Sequence, residues 1–187
     1  MPLEALPEGA LIGTSSRRRA YQIAIHYPHL RTEPIRGNVE TRMGKVDAGL
    51  FDATLLAEAG LARLDMKDVT RYPISEEIIV PAPGQAAIAV QTRDEDGELQ
   101  TLLQQIHDAK TEREVTIERS LLKRLGGGCA LPLGCVCHIE GETAELRVFY
   151  ANASGTEHYL ATHRTPLSDI DTLLSQLIER LQHITTA

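Results

Sequence analysis

Three stretches of the chain combine residue types that could do chemistry: Gly13-Thr14-Ser15-Ser16-Arg17-Arg18-Arg19, Ile35-Arg36-Gly37-Asn38-Val39-Glu40-Thr41-Arg42, and Gly126-Gly127-Gly128-Cys129. In the first, hydroxyls suited to capping a helix are followed at once by arginines. A helix N-terminus already carries partial positive charge, so each arginine in the first turn opposes the dipole by about 0.3–1 kcal/mol. Free backbone N–H groups, serine hydroxyls and guanidinium forks together suit a carboxylate or phosphate. The second stretch repeats the theme, with Arg36 just before a helix and Arg42 one turn into it. Two such helix starts beside one sheet edge would form a shared polyanion site. The competing reading is that some of these arginines, Arg17 above all, reach into solvent.

The third stretch leads up to one thiol through three glycines. Glycine admits positive φ and close approach of a ligand to the backbone, so Cys129 reads as a thiol presented to something. A glycine-rich helix cap followed by an incidental buried cysteine carries equal weight on these residues alone. Cys129, Cys135, Cys137 and His138 fall within ten residues, but a C-x5-C-x-C-H spacing is no standard zinc pattern. Cys135 and Cys137 sit at the start of a strand, where cysteine serves as a small apolar residue. No metal is expected.

The bulk properties constrain the partner. The 187 residues carry a formal charge of −7, with 42% hydrophobic and 24% charged residues. A net negative surface disfavours nucleic acid and anionic membranes, so an anion must meet a local basic cluster. No apolar run approaches the roughly 18–20 residues that cross a bilayer, and the first residues lack a signal-peptide pattern. Three cysteines, an odd number, suit reduced thiols in a cytoplasmic setting.

The elements that must hold these stretches follow from periodicity. Leu11-Ile12-Gly13 reads as the end of a buried strand. Ala20, Ile23, Ala24 and Tyr27 repeat at helical spacing until Pro28. Asn38 caps a second helix with Val39, Met43 and Val46 on one face, and residues 53–57 form a short apolar strand. Alternation of this kind predicts a mostly parallel sheet covered by helices. Pro81-Ala82-Pro83-Gly84 marks a crossover, after which residues 86–92 read as a strand and Leu99, Leu102, Leu103 and Ile106 as one helix face. Thr111 and Glu114 form a capping box for a helix ending at Gly126. The remainder predicts three antiparallel strands and a closing helix with Ile170, Leu173, Leu174, Leu177, Ile178 and Leu181 on its face. The fold class is thus α/β followed by a small α+β domain.

The segments GTSSRRR, IRGNVETR, AGLARL, PAPGQAAIAV and GGGCALPLG, in this order, closely resemble the porphobilinogen deaminase (hydroxymethylbilane synthase) family over nearly the whole chain. The resemblance implies a transferase of tetrapyrrole, and hence porphyrin and heme, biosynthesis. Such an enzyme condenses four porphobilinogen molecules head to tail with release of ammonia. It also implies a dipyrromethane cofactor attached through a thioether to Cys129. By motif match, Ser15, Ser16, Arg18, Arg19, Arg36 and Gly37 would contact the cofactor, and Arg42, Arg63 and Gln85 the substrate. Porphobilinogen and polypyrrole intermediates are the implied partners, with no nucleic acid, membrane or metal. Every pyrrole carries acetate and propionate groups, which suits an arginine-lined cleft.

Arg17 stands where the family has an apolar residue, Ala86 replaces a glycine, and Gln91 an acidic residue. The family implies three domains, and this chain begins inside the second, whose parallel or mixed sheet is expected to be periplasmic-binding-protein-like. The expected division is 1–82 for the anion-binding α/β domain, 83–108 for a crossover strand and helix completing the first domain, and 109–187 for the α+β domain with the cysteine. The family's catalytic aspartate lies in a His-Ser-Met-Lys-Asp-Val-Pro motif of the first domain, so no catalytic residue is expected here. Met66-Lys67-Asp68-Val69 repeats its central letters without the flanking ones and is not that site. The chain alone is expected to be incomplete, inactive and prone to self-association, although the family is usually monomeric. The alternative is a non-catalytic polycarboxylate-binding protein derived from the family.

Overall fold

A computed structural model describes residues 1–66, 69–128 and 131–185. The chain first builds a parallel sheet from β1 (Leu11–Gly13), β2 (Arg31–Glu33) and β3 (Ala53–Thr54), in the order β2-β1-β3. Leu11 lies opposite Arg31, and Ile12 opposite both Thr32 and Ala53. α1 (Arg17–His26) follows β1, α2 (Val39–Asp47) follows β2, and the short α3 (Glu58–Arg63) follows β3. Ile12, Ile23, Leu30 and Leu55 bury their side chains together with Leu3, Leu6 and Ala10. Of the stripe Ala20, Ile23, Ala24 and Tyr27, Ile23 is buried in this cluster and Tyr27 packs against it, Ala20 is half-buried and Ala24 is exposed. β3 is shorter than the 53–57 run suggests, because only its first two residues find a ladder partner on β1.

The second body is an antiparallel meander of β4 (Leu133–Glu140), β5 (Thr143–Ala151) and β6 (His158–Pro166). α5 (Ala109–Arg124) and α6 (Ile170–Thr185) cover one face, burying Cys135, Cys137, Leu146, Val148 and Tyr150 against Leu121, Leu174, Leu177 and Leu181. Strand alternation sends Val136, Phe149 and Ala151 to the other face. There they enclose Val80, with Tyr21 of α1 and Leu160 packed alongside. Both faces of this sheet are thus occupied, one by its own helices and one by the first body.

Two expectations are corrected. Residues 86–92 form no strand: Ala86 takes φ +70° and Ile88 is 87% exposed. An extended segment without a neighbouring strand leaves its backbone groups to water, and apolar composition alone does not supply that neighbour. The helix after it does form, as α4 (Gly97–Leu103) capped by Asp96, but its Leu102 is exposed, as is Ile106 in the 3₁₀ turn that follows. α5 begins two residues ahead of the expected capping box. The Asp108 carboxylate takes the Thr111 N–H at 3.0 Å, while Glu114 is drawn away to accept the Ile139 N–H of β4 at 2.7 Å.

Candidate carboxylate-binding site

The parallel order places the ends of β1, β2 and β3 on one edge of the sheet, with the chain leaving β1 on one side for β2 and returning on the other as β3. Ligand sites of open α/β sheets lie outside such a reversal. Ser16 caps α1, its Oγ accepting the Arg19 N–H at 3.4 Å. Asn38 caps α2, its Oδ1 accepting the Thr41 N–H at 2.8 Å. The two helix starts are tied together because Ser15 Oγ donates to the Ile35 carbonyl at 2.7 Å. Gly37 holds φ +122°, and a Cβ there would come within 2.6 Å of Thr41 Cβ, so no other residue fits this turn.

The arginines divide by environment. Arg18 is only 7% exposed. Its Nη1 donates to the Val80 carbonyl and its Nη2 to Gln85 Oε1 at 3.3 Å. Arg19 is half-buried, with Nη1 donating to the Leu55 carbonyl just beyond β3 at 2.8 Å. Arg42 Nε donates to the Gly37 carbonyl at 2.7 Å. Burial, and then the neighbouring Arg19 charge, bring the Arg18 guanidinium down to about 10. Burial and then Arg42 lower Arg19 as well. These mutual effects place Arg18, Arg19 and Arg42 in one electrostatic neighbourhood. Among the described residues no carboxylate forms an ion pair with any of them.

Arg36 is exposed on the loop entering α2, next to the Ile35 that Ser15 holds. Arg63 is exposed at the last residue of α3, and Gln85 is exposed, its Oε1 accepting from Arg18 and, at 3.4 Å, from the Ala82 N–H. Arg17 points to solvent. Cys129 lies outside the described residues, as does Asp68. Cys135 and Cys137 are free, buried thiols; burial, with Glu118 second, raises both, Cys137 to about 12. The described residues contain no cluster that could hold a metal, and none of their helices is long and apolar enough to cross a membrane.

Two residues of this neighbourhood escape a reading by motif. Lys45 Nζ donates to the Arg36 carbonyl at 3.0 Å; its spacing of three from Arg42 was the available signal. Gln22 is fully buried one turn after Arg18. It lies on the side of α1 away from the stripe Ala20, Ile23, Ala24 and Tyr27, so the apolar periodicity carried no signal for its burial. Cations gathered without counter-charge among the described residues, on a turn only glycine can form, fit a ligand bearing several carboxylates.

Comparison with known families agrees. Residues 1–101 match the family model described as porphobilinogen deaminase, dipyromethane cofactor binding domain. Residues 112–170 match porphobilinogen deaminase, C-terminal domain. The arginine edge lies in the first match and the Gly126–Cys129 stretch in the second. The chain belongs to the porphobilinogen deaminase family and carries its dipyrromethane cofactor binding domain.

Proposed function

We propose that the chain acts in hydroxymethylbilane synthesis, holding the carboxylates of the cofactor and of the growing polypyrrole on its arginine edge. The observation that carries this reading is the cluster of Arg18, Arg19 and Arg42, which repel one another and have no acidic partner among the described residues. Arg19 and Arg42 keep guanidinium N–H groups beyond those bonded to Leu55 and Gly37 and direct them to acetate and propionate groups. Arg18 adds fixed positive charge from behind. Arg36, Arg63 and Gln85, all exposed, extend the contact along the substrate. Ser15 and Ser16 hold the turn that aims these groups. Dipyrromethane, when bound, supplies the covalent primer for chain extension, and Cys129 is its point of attachment.

The working division is an anion-binding body over 1–82 of periplasmic-binding-protein-like architecture, a crossover over 83–108 and an α+β body over 109–187. Apolar residues left exposed in the crossover support self-association of this chain. No carboxylate stands in the family's catalytic motif within these 187 residues, which therefore bind polypyrrole without turning over porphobilinogen. The setting is cytoplasmic.

Intact mass of the purified chain tests attachment. A dipyrromethane adduct is expected once the chain is exposed to a dipyrromethane bearing an aminomethyl or hydroxymethyl group, the Cys129 thiol forming the C–S bond as ammonia or water leaves, and it should persist in Cys135→Ser and Cys137→Ser. Retention of the adduct in Cys129→Ser overturns the assignment. Incubation with porphobilinogen, followed by oxidation to uroporphyrin, tests turnover, and product above a no-protein control overturns the claim of inactivity.

A further inference from the structure

Gln22 makes an unusual set of contacts for a helix side chain. Its Oε1 accepts the Val80 N–H at 2.8 Å, while its Nε2 donates to the Val80 carbonyl at 3.3 Å and to the Arg18 carbonyl at 3.1 Å. The amide thus grips both backbone groups of Val80, as a neighbouring strand would. The same Val80 carbonyl accepts Nη1 of Arg18. Val80 is itself fully buried against Val136, Phe149 and Ala151 of the antiparallel sheet. The next residue continues the connection, since the Pro81 carbonyl accepts the Cys135 N–H at 2.8 Å. Gly134 permits the approach, because a Cβ there would lie 2.7 Å from the Val80 oxygen.

We infer that Gln22 is a positioning residue for the carboxylate site, fixing the Val80 carbonyl that orients Arg18 and locking α1 to the strand that follows the cysteine loop. This rests on the proposed polypyrrole reading. The physical need is plain: a ligand attached at one point and gripped by cations at another requires a fixed spacing between the two, and small misplacements are costly. Without the Gln22 amide, the Val80 N–H and part of its carbonyl capacity would be buried unpaired. The strap would then shift to find partners, taking the Arg18 anchor with it. Gln22 touches no ligand in this account and acts only through Val80 and Arg18.

The test compares Gln22→Met, which keeps volume and removes the amide, with Ile23→Val, which loosens the core of the same helix and leaves the strap intact. Two readouts are taken on the 187-residue chain. Nitrogen-detected NMR of the Arg18 guanidinium should show hindered rotation in the parent and in Ile23→Val, and averaged signals in Gln22→Met. Calorimetric titration with free dipyrromethane tetracarboxylic acid should show about ten-fold weaker binding for Gln22→Met only, the size expected for one charge-assisted hydrogen bond. Unchanged Arg18 signals in Gln22→Met overturn the inference. So does unchanged affinity alongside altered signals, or an equal loss of affinity in Ile23→Val. A parent chain that fails to bind the tetracarboxylate defeats the polypyrrole reading instead, and the NMR comparison then decides whether Gln22 positions Arg18.

Discussion

Glu118, buried on α5, accepts the Gly84 N–H through Oε2 at 2.6 Å and the Cys137 N–H through Oε1 at 2.9 Å. One carboxylate therefore joins the segment that leaves the first body to the first strand of the second. Burial raises its pKa, while these two N–H groups act in the opposite direction. Glu118→Gln is nearly the same shape but offers one acceptor oxygen where two are used, and turns an NH2 group toward a backbone donor. A loss of about 1–3 kcal/mol is expected for the orphaned N–H, read as a lower denaturant midpoint. An unchanged midpoint would refute the bridging role.

Gly134 provides a steric check on the same junction. Any Cβ there meets the Val80 oxygen at 2.7 Å and Val80 Cβ at 2.9 Å, and both atoms belong to a segment that is itself tied down. Gly134→Ala should destabilise by about 1–3 kcal/mol, as overpacking of a tight core does. Thermal unfolding of the variant beside Gly141→Ala, whose Cβ meets nothing within 4 Å but which carries φ +59°, separates crowding from backbone strain.

The arginine edge should show its charge in solution. Arg19→Gln should weaken binding of a dipyrromethane tetracarboxylate by about ten-fold at low salt, and the difference should shrink at high salt because partly exposed charges are screened. For the parent, affinity should hold through neutral pH and fall as pH rises through about 10, where Arg18 in the free chain is half deprotonated. Bound carboxylate favours the cation, so the fall starts at the value of the free chain and continues until the higher value of the bound chain is reached. A flat profile to pH 11 would remove Arg18 charge from the account.

The two core thiols should be silent. Cys135 and Cys137 are buried and their thiols are pushed up by burial first and Glu118 second. At pH 8 iodoacetamide should leave both unmodified in the folded chain and label both in guanidinium. Because the folded values lie above the ordinary 9, these groups cost no stability below pH 9. Their contribution is lost as pH rises from 9 through about 12 at Cys137. Peptide mapping that finds either residue labelled in the folded chain contradicts the burial.

Exposed apolar side chains in the crossover should bring copies together. Ile88 is 87% and Ile106 74% exposed, with Val90 and Leu102 also largely uncovered. Sedimentation velocity should find concentration-dependent association that the double substitution Ile88→Lys with Ile106→Lys abolishes. A monodisperse monomer across the micromolar range would rule this out.

How far the chain could be read without coordinates depends on whether a feature is local. α1 and α2 are written in their own residues: a cap, an apolar stripe and a stop. Cys135 and Cys137 are likewise legible as strand residues facing a core. The arginine edge was visible as a violation, positive charge where a helix dipole disfavours it. What could not be read comes from distant partners. Residues 86–92 have strand composition but no strand beside them here. Glu114 leaves its expected cap for an amide on β4. Gln22 gave no hint that it would clasp a residue 58 positions away, because nothing in a helix sequence names the backbone groups that will lie against it.

The enclosure of Val80 also orders the assembly of the protein in time. Val80 leaves the ribosome before Val136, Phe149 and Ala151, which complete its surroundings and emerge only after more than fifty further residues. The meander that supplies them is built from neighbouring hairpins and can form as soon as it is made. Until then Arg18 and Gln22 face a segment with nothing behind it, so α1 can be helical while its anion site is not yet set. Folding of the antiparallel body thus completes a binding edge whose arginines were synthesised before it.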